Sequence, residues 1–300
     1  MDSTSQPSQS RPPLETLSIK QLLRLHPRDK LLVHPLEWTG RHLEVLQCSF
    51  EDSLPPPPSQ EHLDEVRGIP ATEGFKYSMK KMAANEIWLR RDNAIRYIVG
   101  SDDCPLRPYG TSVGFHFDGR RVKGSLPCQL FTSRHGNKAA LKKGTAPIAF
   151  VSIDCERIKS LRYKQMLPYR GRRRSKQTNG IFDRHLKRVT PPNRLHDPYI
   201  VALLLAVAYD QRYRTKPSRR FGSTFWPQVV VTDREDEYVH LFAAHISSNY
   251  LEKFDFPSRQ PAESAQQPLL IHHIRVPLEP YDTFRPRLLP ILLHPANYYK

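Results

Sequence analysis

The 300 residues carry 46 Lys and Arg against 30 Asp and Glu, a formal net charge of +16 that points to acidic partners. Hydrophobic residues make up 38%, below the usual ~45–50%, and 28 prolines imply a modest core with long irregular connections. The longest apolar run, Tyr199–Tyr209, is far short of the ~20 residues that span a bilayer, and Met1–Ser10 lacks the basic and apolar regions of a secretory signal.

Residues 1–13 are polar, end in Arg11-Pro-Pro13, and read as a disordered lead-in to a single domain over 14–300. Leu14, Leu17, Leu22 and Leu25 give an amphipathic helical pattern, with Ser18 an alternative cap for a shorter helix. Lys30–Trp38 and His42–Phe50 read as extended runs about Thr39-Gly40-Arg41, a first hairpin. Residues 52–60 form a loop in which Pro55–Pro58 favours polyproline II. Tyr77–Val99 is the longest helix candidate. Gly100 should stop it, Asp92-Asn93 is a point where it could break, and Trp88 and Tyr97 should seat it on the core. Thr111–Asp118, Arg120–Gly124 and Leu126–Thr132 read as three short strands, with Asp118-Gly119 a hairpin turn. Residues 133–145 form a polar loop before the apolar strand Pro147–Ile153.

Arg157–Arg188 holds 12 cations against the single acid Asp183, so most of the excess charge lies within it. Its middle, 168–180, reads as a basic loop. The residues expected to meet an acidic protein or a nucleic acid are Arg162, Lys164, Arg170, Arg172, Arg173, Arg174 and Lys176, because cations neutralise phosphates and carboxylates. Tyr163, Tyr169 and Phe182 lie among them and offer rings for stacking on unpaired bases. Gly171–Lys176 also has the composition of a short nuclear localisation signal.

Asp197 is suited to cap a helix that begins at Pro198, and residues 200–208 are apolar on every side, so that helix should be fully buried. Pro227–Thr232 and Tyr238–Ile246 read as an inner hairpin with apolar residues on both faces, split by Asp233–Glu237. Leu269–Val276 is a further strand, followed by the proline-interrupted run Phe284–Leu293. The expected fold is α+β: a mixed or antiparallel sheet on a central buried helix, with long irregular loops.

Recognisable chemistry is sparse. Cys48, Cys104, Cys128 and Cys155 form no C-x-x-C pair, which excludes a zinc ribbon or thioredoxin-type motif and suits a reducing compartment, cytoplasm or nucleus. The 13 histidines form no H-E-x-x-H, and His240 and His245 alternate to opposite faces of a strand. Gly136–Thr145 has its lysines before Gly144 and so fails the order of a phosphate loop. Metal-dependent nucleases of the restriction-endonuclease-like superfamily place an acid after one strand and E-x-K on the next. The acids Asp233–Glu237 stand at such a place, but Tyr238–His245 supplies no E-x-K. No catalytic residue, metal ligand or cofactor is therefore expected.

Asp197–Tyr209, Val229–Thr232, Val239–Phe242 and Asn249–Pro257 resemble a group of uncharacterised proteins of filamentous fungi that share a helix, a hairpin and a Leu-x-Lys-Phe-Asp turn, here Leu251–Asp255. The resemblance implies an intracellular fungal protein and brings no catalytic residue with it. It leaves three expectations: a non-enzymatic protein that binds an acidic partner, an accessory protein or enzyme of a secondary-metabolite gene cluster, and a divergent nuclease-like fold.

Overall fold

A computed structural model describes residues 13–54, 59–84, 87–134, 149–167, 176–215 and 224–298. The fold is α+β, built on a seven-stranded mixed sheet.

In chain order, helix α1 (Ile19–Leu25) is started by Ser18, whose side chain accepts from the Gln21 N–H while Gln21 answers with its own side chain. That reciprocal cap is why the shorter of the two expected helices forms. Thr39 likewise begins α2 (Gly40–Leu46), in a box closed by His42. The expected hairpin at 30–50 is thus replaced by a helix and one strand, β1 (Cys48–Asp52). A threonine followed three residues later by a side chain that accepts from its N–H outweighs the extended preference of the flanking run.

Helix α3 (Gln60–Val66) precedes α4 (Glu73–Ala83) and α5 (Trp88–Gly100). The single helix expected over 77–99 is two, divided near residue 84 rather than at Asp92-Asn93. Asp92 is buried within α5, together with Ile95, Ile98 and Val99. Tyr97 is 41% exposed and Trp88 half-buried, so neither seats the helix. Gly100 is the last helical residue rather than a left-handed stop. A Cβ there would meet Pro108 Cδ at 2.9 Å, so its smallness admits the next strand.

Strands β2 (Leu106–Phe117) and β3 (Arg120–Ser133) form a long hairpin. Asp118 and Gly119 both have positive φ, at 54° and 68°, which fits the two-residue turn expected there. The two short strands expected over 120–132 are one, continued through Gly124 at φ 87°. Strand β4 (Ala149–Asp154) is wholly buried. It runs directly into α6 (Cys155–Met166), and α7 (Lys176–Val189) follows. Residues 176–180, expected as part of the basic loop, are the first turn of α7; the spacing of Phe182, Leu186 and Val189 gives that helix its inward stripe.

Helix α8 (Pro198–Arg214) starts where expected, with Asp197 accepting from the Tyr199 N–H, and all residues from Pro198 to Tyr209 are buried. Then follow β5 (Thr224–Phe225), β6 (Gln228–Thr232), β7 (Tyr238–Ala244), β8 (Ile246–Ser247), α9 (Ser248–Asp255), β9 (Leu269–Pro277), α10 (Phe284–Leu293) and α11 (Pro295–Tyr298). The large sheet has the order β1-β9-β7-β6-β4-β3-β2, and β5 and β8 form a small second sheet. Strands β4 and β6 are parallel, as are β1 and β9; the other neighbours are antiparallel.

Two apolar layers sandwich the sheet. One contains α8 with Val151, Val229, Val231 and Phe242; the other contains α4, α5 and α10 with Phe131, Phe150, Val230 and Leu241. Central strands buried on both sides explain the continuous rather than alternating hydrophobicity of β4 and β6. Among the described residues no helix is long and apolar enough to cross a membrane. The lead-in at 1–12, the proline run 55–58 and most of the 133–145 and 168–180 segments lie outside the described residues.

Leu204 has no exposed surface and sits in the middle of α8. Leu204→Ala should lower unfolding free energy by about 2–5 kcal/mol, measured by chemical denaturation.

Candidate functional site

Polar side chains gather at the end of the sheet where β4, β6, β9 and β1 finish. A sheet that is apolar on both sides can hold polar groups in that position only if each is paired. Asp154, the last residue of β4, accepts from Arg91 Nε at 2.7 Å and Nη2 at 2.9 Å, from Thr232 Oγ1 at 2.7 Å and from the Glu156 N–H at 2.9 Å. It therefore ties α5 and β6 to its own strand and caps α6. Its four acceptor sites are filled, which marks it as structural.

Arg162, expected on the partner-binding surface, lies in the interior at 2% exposure. Its Nη2 reaches both Asp197 oxygens at 2.7 Å and its Nε donates to Leu36 O at 2.9 Å. A guanidinium with these partners is spent on holding α6 against the start of α8, and Arg162 is removed from the binding set. Burial raises the Asp197 carboxyl, and Arg162 opposes that shift. Lys164 is exposed as expected. Arg170, Arg172, Arg173 and Arg174 lie outside the described residues, and Lys176 is the first residue of α7. The two helices meet through Tyr163 and Phe182, whose rings are edge to face at 5.3 Å. Lys159, Tyr163 and Lys164 on α6 are exposed, as are Ile181, Arg184, Lys187 and Arg188 on α7.

The hairpin acids are also engaged. Arg194 pairs with Asp233 at 2.7 Å and with Glu235. Among the described residues no three His, Cys, Asp or Glu side chains converge to hold a metal ion, and all four cysteines are free thiols.

Two polar arrangements escape sequence spacing because the sheet assembles them. The first is a line of four groups across β1, β9 and β7. His273 Nδ1 lies 2.7 Å from Asp52 Oδ1, and His273 Nε2 lies 3.0 Å from His240 Nδ1. Asp236 Oδ2 is 3.1 Å from His240 Nε2. Two neutral histidines bring two protons to the three gaps of this line, so one gap is left without a donor. Burial pushes both histidines below their ordinary range, opposed at His240 by Asp236 and at His273 by Asp52.

The second is a cleft of about 310 Å³ where α5 and the start of α6 meet the β2–β3 hairpin; its lining includes Trp88, Asp92, Arg96, Tyr109, Gln129 and Arg157. Asp92 is 1% exposed. Its Oδ2 accepts from Arg157 Nη1 at 2.7 Å, whereas its Oδ1 has no partner. Burial raises this carboxyl to about 6; Arg157 opposes the shift and Asp154 adds to it. Gln129 Nε2 donates to the Asp92 carbonyl at 2.8 Å, which leaves Gln129 Oε1 buried and unsatisfied. Ser152, opposite Gln129 in the β3–β4 ladder, has an orphaned hydroxyl as well. The guanidinium of Arg157 stands 5.5 Å from the centre of the Trp88 ring. A larger groove of about 500 Å³ beside β9 has no such orphaned atom among its described lining residues.

Asp92 marks this cleft because its charge works against the fold. A carboxyl raised in the folded chain binds its proton more readily there than in the unfolded chain. It is neutral and harmless below about 4, and its ionisation penalty is fully present above about 6. Asp92→Asn should therefore melt higher than the parent chain at pH 7, with the gap closing as pH falls to about 4. The histidine line has the opposite sign. With folded values below the unfolded 6.5, its stability is full above pH 6.5 and declines as the unfolded chain takes up protons below it. Replacing both histidines, as in His240→Gln with His273→Gln, should flatten that acid-side decline in a melting-temperature series.

No protein-family model matches the sequence, and a search of curated proteins finds no match.

Proposed function

We propose that this protein binds an acidic macromolecular partner through the basic faces of α6 and α7. The observation that carries this reading is the exposure of Lys159, Lys164, Arg184, Lys187 and Arg188 on two helices that pack against each other. The acids near them are Glu156, which pairs with Lys159, Asp183, and Glu235, which Arg194 holds and Lys159 also attracts. The same stretch of chain carries Arg170, Arg172, Arg173 and Arg174 between the two helices and Lys176 at the start of α7, so the local charge exceeds what the described side chains provide. A cluster of this kind raises the local concentration of a polyanion and speeds its arrival.

Nucleic acid is the partner favoured by the exposed Tyr163 ring. Tyr163 is 44% exposed beside Lys159 and Lys164, and an aromatic face among cations suits a stacked base with neighbouring phosphates. Four free thiols suit the reducing cytoplasm or nucleus, where such partners are found.

The test compares two triple variants of equal charge change. One is Lys164→Glu, Arg184→Glu and Arg188→Glu. The other is Lys20→Glu, Lys80→Glu and Arg259→Glu, at exposed positions on other elements. Fluorescence anisotropy with a labelled single-stranded RNA and with polyglutamate should show at least about a tenfold affinity loss in the first variant and under about threefold in the second. The slope of log affinity against log salt should also become shallower in the first. Equal losses in the two variants would reduce the effect to net charge and remove the proposal.

A further inference from the structure

We propose that two adjoining clefts along strand β2 form one groove for a single strand of nucleic acid. The inference rests on the reading of a nucleic-acid partner and deepens it, because it gives the strand a path beyond the faces of α6 and α7.

Strand β2 ends the large sheet and, among the described residues, pairs only with β3. Two clefts lie beside it. The first, of about 310 Å³, is bounded by α5 and the start of α6. The second, of about 360 Å³, is bounded by Ala206, Asp210 and Tyr213 of α8. Tyr109 and Gly110 line both, so the two clefts adjoin. Together they follow β2 from Pro108 to His116, which at about 3.4 Å per residue is up to about 27 Å. That length suits several linked nucleotides better than one.

Charge narrows the class of occupant. Each acid in the described lining is already answered. Asp92 is buried and accepts from Arg157, and Asp210 accepts from Arg214 Nε at 2.7 Å and from the Tyr109 hydroxyl at 2.5 Å. One further cation stands in each cleft. Arg96 in the first and Arg121 in the second are exposed, and neither pairs with an acid among the described residues. Arg121 can lie across β2 because residue 114 is glycine: a Cβ there would come within 2.6 Å of Arg121 Nε. The surplus in both clefts is therefore positive and open to solvent, as a chain of repeated phosphates requires.

The rings favour a nucleic acid over an acidic protein. Tyr213 is 55% exposed at the second cleft, with its ring 5.1 Å from that of His116. Tyr109 stands at the junction, with the Arg214 guanidinium 4.1 Å from its ring centre. Trp88 is half-buried in the first cleft, with Arg157 5.5 Å from its ring centre. Rings interleaved with guanidinium groups match a chain in which bases alternate with phosphates. An acidic peptide would use the cations and leave the rings idle. The bases have to be unpaired, because those of a duplex are stacked on one another and offer no face to a side chain. Stacking is tolerant of sequence, since every base has a π-face.

The experiment titrates the full chain by fluorescence anisotropy with a labelled single-stranded decanucleotide RNA, the same RNA as a blunt duplex, and polyglutamate. Arg96→Ala with Arg121→Ala should weaken the single strand at least about tenfold. Tyr213→Leu, which keeps an apolar side chain at an exposed position but removes the ring, should weaken it at least about threefold and change the duplex and polyglutamate by less than about twofold. Lys20→Ala with Arg259→Ala, an equal charge change at exposed positions on other elements, should weaken the single strand by less than about twofold. All three variants should melt as the parent chain does. Unchanged single-strand affinity in either groove variant, or an equal loss for RNA and polyglutamate in Tyr213→Leu, would overturn the proposal. A parent chain that binds no RNA would remove both the groove and the reading it rests on. Single-strand binding weakened by the groove variants but not by the α6–α7 triple variant would keep the groove and remove the helical faces; the reverse pattern would remove the groove alone.

Discussion

The buried pair of Asp154 and Arg91 is the constraint on which the arrangement rests. Arg91 and Asp154 are 1% and 0% exposed at the tip of a strand with apolar layers above and below. Two charges in that position are tolerated only with near-complete hydrogen bonding, and removing one partner of such a pair costs about 3–5 kcal/mol. The geometry needed to satisfy Asp154 fixes three elements at once. It draws α5 onto the sheet through Arg91, holds β6 beside β4 through Thr232, and starts α6 by capping Glu156. Asp92, next to Arg91 in sequence, is carried into the interior by the same anchoring, where Arg157 of α6 meets it. The strained carboxyl of the cleft is thus a by-product of the satisfied one beside it.

A repeated device follows along the same end of the molecule. Arg162 with Asp197 ties together two helices of the crossover between β4 and β6, and Arg194 with Asp233 joins that crossover to the residue just after β6. Part of the positive charge that composition assigns to an outward surface is therefore internal glue. The remainder, on α6 and α7, is what solvent meets. Charge counted along a sequence overstates a binding surface whenever basic residues alternate between paired interior positions and open ones, as Arg162 and Lys164 do two residues apart.

Elements whose cause is local were legible in the chain. The α8 helix was readable because Asp197 and Pro198 announce its start and its residues are apolar throughout. The β6–β7 hairpin and the turn at Asp118-Gly119 were readable for similar reasons. The segment before residue 50 was misread as a hairpin because the Thr39–His42 box outweighs its extended character. The run from residue 77 to 99 breaks where side-chain spacing gives no sign. The sites were largely illegible. Asp92, Gln129 and Arg157 sit on three elements, and His240 and His273 are 33 residues apart, so spacing rules written for a single helix or loop do not register them. A polar Gln129 within the apolar stretch Leu126–Phe131, and an Arg-Asp pair on the buried side of a helix, were the available signals.

Among the described residues strand β1 has its only ladder with β9, so residues 48–52 wait for residues 269–273. On a ribosome the segment before β1 can form its capped helices, but β1 cannot enter the sheet until β9 has emerged. The edge is then closed by the Ser53 and Leu269 backbone bonds on either end of that ladder. Vectorial synthesis therefore gives this sheet a long interval in which β9's edge is the last to be made, and the sheet is completed by docking its earliest strand onto its latest.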